Sequence, residues 1–143
     1  MSAITYRHYD RLADSPVLTR ALEVHAALRR SGETNVLVPA LDGQVLAAFH
    51  GRECIGLLVW SECEDESVWW TELGWVAEAH RHAGIYRALW QRCVARAKRA
   101  GIRAIDGGHA VINEKMPAVM RSLGREPVAV VYRYWVGGRE IEG

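Results

Sequence analysis

The sequence predicts an α/β protein of the α+β kind, with a mixed, mostly antiparallel sheet flanked by helices. Three observations predict it. Two adjacent apolar runs, "QVLAAFH" and "CIGLLVW", are separated only by "GRE" and read as a hairpin. Two segments repeat apolar residues at helical spacing. The second half then alternates strand, helix, strand, helix, strand, which places helices on the faces of a sheet.

Taken in order, residues 3–9 form a first strand. Asp14 or Ser15 caps a helix whose first position is Pro16, where the missing N–H costs nothing. Val17, Ala21, Val24 and Leu28 give its apolar stripe, and Gly32 stops it. Pro39 and Asp42-Gly43 mark a turn before the hairpin. The acidic run Glu62, Glu64, Asp65 and Glu66 is a solvated loop that could steer a cation. Residues 67–77 alternate as a strand, with Glu72, Gly74 and Val76 assigned to one face. Gly84 to Ala100 is a helix with Ile85, Leu89 and Cys93 inward and cations in its last turn. "IRAIDGG" is a short strand, "PAVMRSL" a short helix closed by Gly124, and residues 128–136 a last strand.

The chain has 143 residues, enough for one domain, 1–143, with a real core. A net charge of +1 argues against broad nucleic-acid binding, which needs a strong basic excess. No apolar run is long enough to span a bilayer, and the first ten residues lack a secretory leader's apolar core. Three cysteines without C-x-x-C spacing read as reduced thiols. A cytoplasmic location, no membrane partner and no nucleic-acid partner are therefore expected, in a monomer or homodimer. His80 and His82 have no further ligand at metal spacing, so no metal is expected.

The chemistry centres on the stretch "HRHAGIYRALW". A strand runs into a loop and the loop into a helix at Gly84. The first N–H groups of that helix have no intrahelical partner and carry partial positive charge, which suits a phosphate or pyrophosphate. Arg81 and His82 add donors, and glycine lets a ligand approach the backbone. Neither a Walker A loop nor a dinucleotide fingerprint fits, because no G-K-[ST] follows and no second glycine is in register.

The stretch "ELGWVAEAHRHAGIYRALW" resembles the core of the Gcn5-related N-acetyltransferase (GNAT) family, with Val76 ending a strand and Arg81-His82-Ala83-Gly84-Ile85-Tyr86 filling its [RQ]-x-x-G-x-[GA] motif. Asn113 and Gly124 repeat the family's downstream spacing. The resemblance implies a splay between strands 4 and 5 and acetyl-coenzyme A as the donor. It implies pyrophosphate on the N–H groups of His82, Ala83, Gly84, Ile85 and Tyr86, beside Arg81. It implies pantetheine along the backbone of Gly74, Trp75 and Val76, and Asn113 near the thiol. The sequence departs from the family at Tyr86, usually Gly or Ala; at Met120, often the tyrosine that protonates the thiolate; and at Arg125, usually phenylalanine.

The implied reaction is direct attack of a primary amine on a thioester in a ternary complex. The amine must first lose a proton. Glu72 is the first candidate base, His109 the second, and Tyr132 a candidate acid in place of Met120. A backbone N–H near Val76 would serve the oxyanion. The alternative is a non-catalytic module of the same fold that binds coenzyme A or a protein partner.

Overall fold

Five strands form one sheet in the order β1-β2-β3-β4-β5 in the computed structural model, which describes residues 3–34, 36, 38–109 and 113–138. The strands are β1 (Ile4–Tyr9), β2 (Gln44–His50), β3 (Glu53–Glu62), β4 (Val68–Val76) and β5 (Ala104–Gly107). The first four are antiparallel neighbours, and β5 joins β4 in parallel. The helices are α1 (Leu18–Arg30), α2 (Ile85–Arg99) and α3 (Met116–Ser122). The mixed, mostly antiparallel sheet expected from the sequence is therefore present.

Each face of the sheet carries one helix, because β2 and β3 are apolar on both faces. On one face, Leu46, Leu58, Trp60 and Trp69 pack against Ile85, Leu89 and Cys93 of α2. On the other, Val45, Leu57, Val59 and Leu73 pack against Ala21 and Val24 of α1. Gly56 lets α2 approach: a Cβ there would stand 3.2 Å from Ile85 Cγ2 and 3.3 Å from Leu89 Cδ1.

Two local expectations are corrected. Pro16 does not open α1. A turn of 3-10 helix at Leu12–Asp14 precedes it, Ser15 Oγ donates back to the Leu12 carbonyl at 2.8 Å, and the helix begins at Leu18. Ser15 thus serves the preceding turn rather than the helix N–H groups. The last strand, 128–136, is not formed. That run belongs to no ladder, and its apolar side chains are exposed. A strand needs a neighbour for its N–H and C=O groups, and none of the described strands lies beside this run.

The β4–β5 pairing is short and decides where a ligand can enter. It runs from Val68↔Ala104 to Thr71↔Gly107 and stops. β4 continues alone through Glu72–Val76, so the two strands part there, as the expected splay requires.

Candidate active site

The gap beyond Thr71 exposes a defined set of backbone groups. Ala77 N–H donates to the Ile55 carbonyl at 2.8 Å, and Trp75 stands opposite Leu57. Antiparallel strands alternate, so Trp75 turns its N–H and C=O toward β3, while Gly74 and Val76 turn theirs into the gap. The Val76 carbonyl receives Arg81 Nε from that side at 3.0 Å. Trp75 instead places its ring against the α1 core, 6.0 Å from the Arg20 guanidinium carbon.

The loop after β4 is shaped for an anion. A turn of 3-10 helix at Glu78–His80 follows the strand, and α2 starts at Ile85 with Gly84 as its cap. Gly84 has φ +78°, a conformation glycine adopts without strain. His82 has φ +64°, the one non-glycine residue with positive φ among the described residues. A strained backbone of this kind is retained where the loop's shape is used. The first backbone bond closing α2 runs from Ala88 N–H to the Gly84 carbonyl at 3.0 Å, so the N–H groups of Ile85, Tyr86 and Arg87 have no acceptor within the helix. The first turn of α2 has no acidic residue, and Arg81, His82, Ala83 and Gly84 are all exposed. Oriented N–H groups, the helix dipole and a guanidinium thus converge at an open loop.

Glu72 is positioned by a β-bulge. Val59 stands opposite Leu73 and Trp60 opposite Thr71, so Glu72 is the extra residue of β4. The bulge resets the alternation expected from the sequence. Leu73 packs in the α1 core and Glu72 lines the same recess, whereas Gly74 faces Tyr86 of α2. Glu72 therefore does not share a face with Gly74 and Val76. Its Oε1 accepts from Ser61 Oγ at 3.0 Å. The recess holds about 260 Å³ between α1 and β4, and its lining includes His25, Val36 and Pro39. Glu72 is the only carboxylate in that lining.

Arg125 marks the point where β4 and β5 part. Its Nη2 donates to Thr71 Oγ1 at 3.3 Å and to the Ile105 carbonyl at 3.4 Å, and the guanidinium stacks 4.6 Å from the Trp90 ring centre. Burial pulls its pKa below the usual arginine value, against the pull of Tyr86 and Asp106. The aromatic residue usual at this position in the resembling family is thus replaced by a cation that stacks on an aromatic ring.

The other candidates are more scattered. His109 is partly buried two residues beyond β5. Asn113 donates from Nδ2 to the Glu33 carbonyl at 3.5 Å, beyond the end of α1. Tyr132 is 91% exposed on the unpaired C-terminal run, and the structure does not bring it to Glu72. Met120 is partly buried on α3. No group of three or more His, Cys, Asp or Glu side chains is placed to hold a metal among the described residues, and none of their helices is long and apolar enough to cross a membrane.

Sequence reasoning misses two features. His25 is buried, with Nε2 2.9 Å from the Val36 carbonyl, and it faces the recess that holds Glu72. Its place four residues after Ala21 on the α1 stripe is the available signal. Ser61 carries no signal in the sequence, because only the bulge brings it onto Glu72.

Comparisons with known proteins agree with this geometry. The model of the "Acetyltransferase (GNAT) family" matches residues 11–124. A search of curated proteins finds no match. Among solved structures, an aminoglycoside acetyltransferase from an uncultured soil metagenomic sample, in complex with sisomicin, superposes with a TM-score of 0.74 at 15% identity, covering 93% of this chain and 96% of that one. An aminoglycoside N-acetyltransferase in complex with CoA gives 0.66 at 17% identity, covering 95% and 96%. The ribosomal-protein-alanine N-acetyltransferase of Brucella melitensis biovar Abortus 2308 gives 0.63 at 14% identity, covering 94% and 97%.

Proposed function

This chain belongs to the GNAT family of acetyltransferases, and from that premise we propose that it transfers an acetyl group from acetyl-coenzyme A to a primary amine. The observation that carries the reading is the gap between β4 and β5 with the anion loop at its open end. The N–H groups of Ile85, Tyr86 and Arg87, with Arg81, would hold the pyrophosphate. The unpaired N–H and C=O groups of Gly74 and Val76 would hold the pantetheine as an added strand. His82, Ala83 and Gly84 shape the loop, and Asn113 would hold the ligand near its thiol. When bound, the thioester supplies an activated acetyl carbon.

The chain's own residues handle the proton and the amine. Glu72 would accept the amine's proton, directly or through one water, from the recess it lines. The Val76 N–H would donate to the developing oxyanion. His109 is the second base, and Tyr132 could donate a proton only if its segment moved to the site. A thiol leaving group has an ordinary pKa of about 8.5, so departure without a general acid is chemically acceptable. That removes the need for a tyrosine where Met120 stands. Glu62, Glu64 and Glu66 on the loop before β4 would favour a cationic acceptor.

Calorimetric titration with acetyl-coenzyme A, beside an Arg81→Ala, Gly84→Glu double variant, tests the donor site. Micromolar binding that the variant loses is expected; no binding to the parent protein would overturn the assignment. Thiol release with a panel of amines, including aminoglycosides and an N-terminal alanine peptide, then separates an enzyme from a module that only binds coenzyme A.

A further inference from the structure

The C-terminal run "VAVVYRYWV" (128–136) combines a strand-forming sequence with a lack of any strand partner. It is β-branched and aromatic throughout, and it is bounded by Pro127 before and Gly137-Gly138 after, the punctuation of a strand. Both glycines have positive φ, +83° and +94°, so the chain turns where the run ends. Yet Val128, Val130, Val131, Tyr132, Tyr134 and Val136 are between 72% and 91% exposed. Contiguous apolar exposure of this kind marks a contact surface.

The same chain carries a bare sheet edge. β5 is the last strand in the sheet, paired only with β4. Ala104 N–H donates to the Ser67 carbonyl at 3.3 Å, so Ala104 and Asp106 face β4. Alternation then points the N–H and C=O groups of Ile105 and Gly107 outward. Arg125 takes one lone pair of the Ile105 carbonyl at 3.4 Å, and a second remains. Edges of this kind invite an added strand.

We propose that residues 128–136 of one copy add as a strand to the β5 edge of a second copy, and reciprocally, in a homodimer. Within one copy, Arg125 is held on Trp90 and Thr71, and the run leaves that anchor for solvent rather than for β5. Exchange satisfies the bare strand and the bare edge together, and twofold symmetry uses each pair twice. The area suffices. An aromatic side chain can bury roughly 150–250 Å². Tyr132, Tyr134, Trp135 and four valines, counted on both copies, reach about the 1,200–2,000 Å² of a stable interface. The added strand would extend the sheet beside the β4–β5 gap. This inference does not depend on the transfer reaction.

Sedimentation velocity from about 1 to 100 μM, with hydrogen exchange on the same samples, tests it. The expected result is a species of twice the 16.0 kDa chain. Peptides spanning 104–107 and 128–136 should gain protection together as concentration rises. Val130→Pro and Val131→Pro remove successive N–H donors; at least one should return the protein to monomer with its thermal unfolding intact, because neither side chain is in the core. A monomer at every concentration would overturn the proposal. A dimer that neither proline disturbs, or joint protection of both peptides in a monomer, would overturn it equally.

Discussion

The Tyr86 phenol lies against Gly74 so closely that a Cβ on Gly74 would stand 2.5 Å from its hydroxyl oxygen and 2.7 Å from a ring carbon. The large side chain at the motif position thus fits because residue 74 has none. This contact ties the first turn of α2 to the end of β4, the two elements that frame the anion loop. Gly74→Ala should cost about 1–3 kcal/mol, the usual effect of overpacking. In a Tyr86→Ala background the same change should cost close to nothing. Urea denaturation of the four proteins measures the coupling, and equal costs in both backgrounds would sink the explanation.

Glu72 owes its position to one extra residue in β4 and one hydroxyl on β3. Glu72→Gln keeps the shape and the Ser61 contact but removes the base. Turnover with any accepted amine should fall by roughly 10²–10⁴, the range for loss of a general base. Affinity for coenzyme A should not change, since the donor site lies on the other face of β4. Ser61→Ala should give a smaller loss of turnover, because it frees the carboxylate without deleting it. Unaltered turnover in Glu72→Gln would move the role to His109.

What the sequence makes legible follows from local physics. The periodicity of α2, its glycine start and its basic end lie within one segment, so helix and anion loop are both legible in the residues alone. Glu72 can be named but not oriented, because its direction depends on a bulge set by the register between β3 and β4. The left-handed His82 leaves no mark, since nothing in its residue type demands positive φ. The run 128–136 reads as a strand on propensity, yet a strand exists only beside a partner, and propensity does not supply one. Ser15 and Pro16 look like a helix start because a turn and a cap use the same residues.

The three cysteines bear on how activity is measured. Cys93 is fully buried in α2, and burial pushes its thiol up to about 12. Burial also raises Cys54, which donates to the Gly56 carbonyl at 3.5 Å. Cys63 is only partly buried; burial comes first among the causes raising its pKa, followed by nearby Asp106, Glu72 and Asp65. Thiolate is the reactive form. At pH 8 a disulfide reagent should modify Cys63 slowly and the other two only after unfolding. Cys63→Ser should therefore leave a native protein silent to the reagent, so released coenzyme A can be read directly. Rapid reaction of the folded Cys63→Ser variant would contradict the buried placement of Cys54 and Cys93.

Those buried groups also fix an alkaline limit to stability. Cys93 rises from an ordinary 9.0 to about 12, and burial raises Tyr86 above its ordinary 10.0, so folding favours the protonated form of both. Below pH 9 the folded and unfolded chains both hold these protons, and the stabilisation is fully present. Above pH 9 the unfolded chain releases the Cys93 proton first and binds fewer protons than the native one, so stability falls as pH rises. For Cys93 the loss is complete once pH passes about 12, and its full size is roughly 4 kcal/mol. Denaturation free energies should be level from pH 7 to 8.5 and decline steadily from pH 9 to 11. Cys93→Ala should start lower, because it opens a cavity, but decline less steeply. A parent protein and a variant with parallel pH profiles would mean that Cys93 titrates alike in both states, and its burial would then carry no linkage.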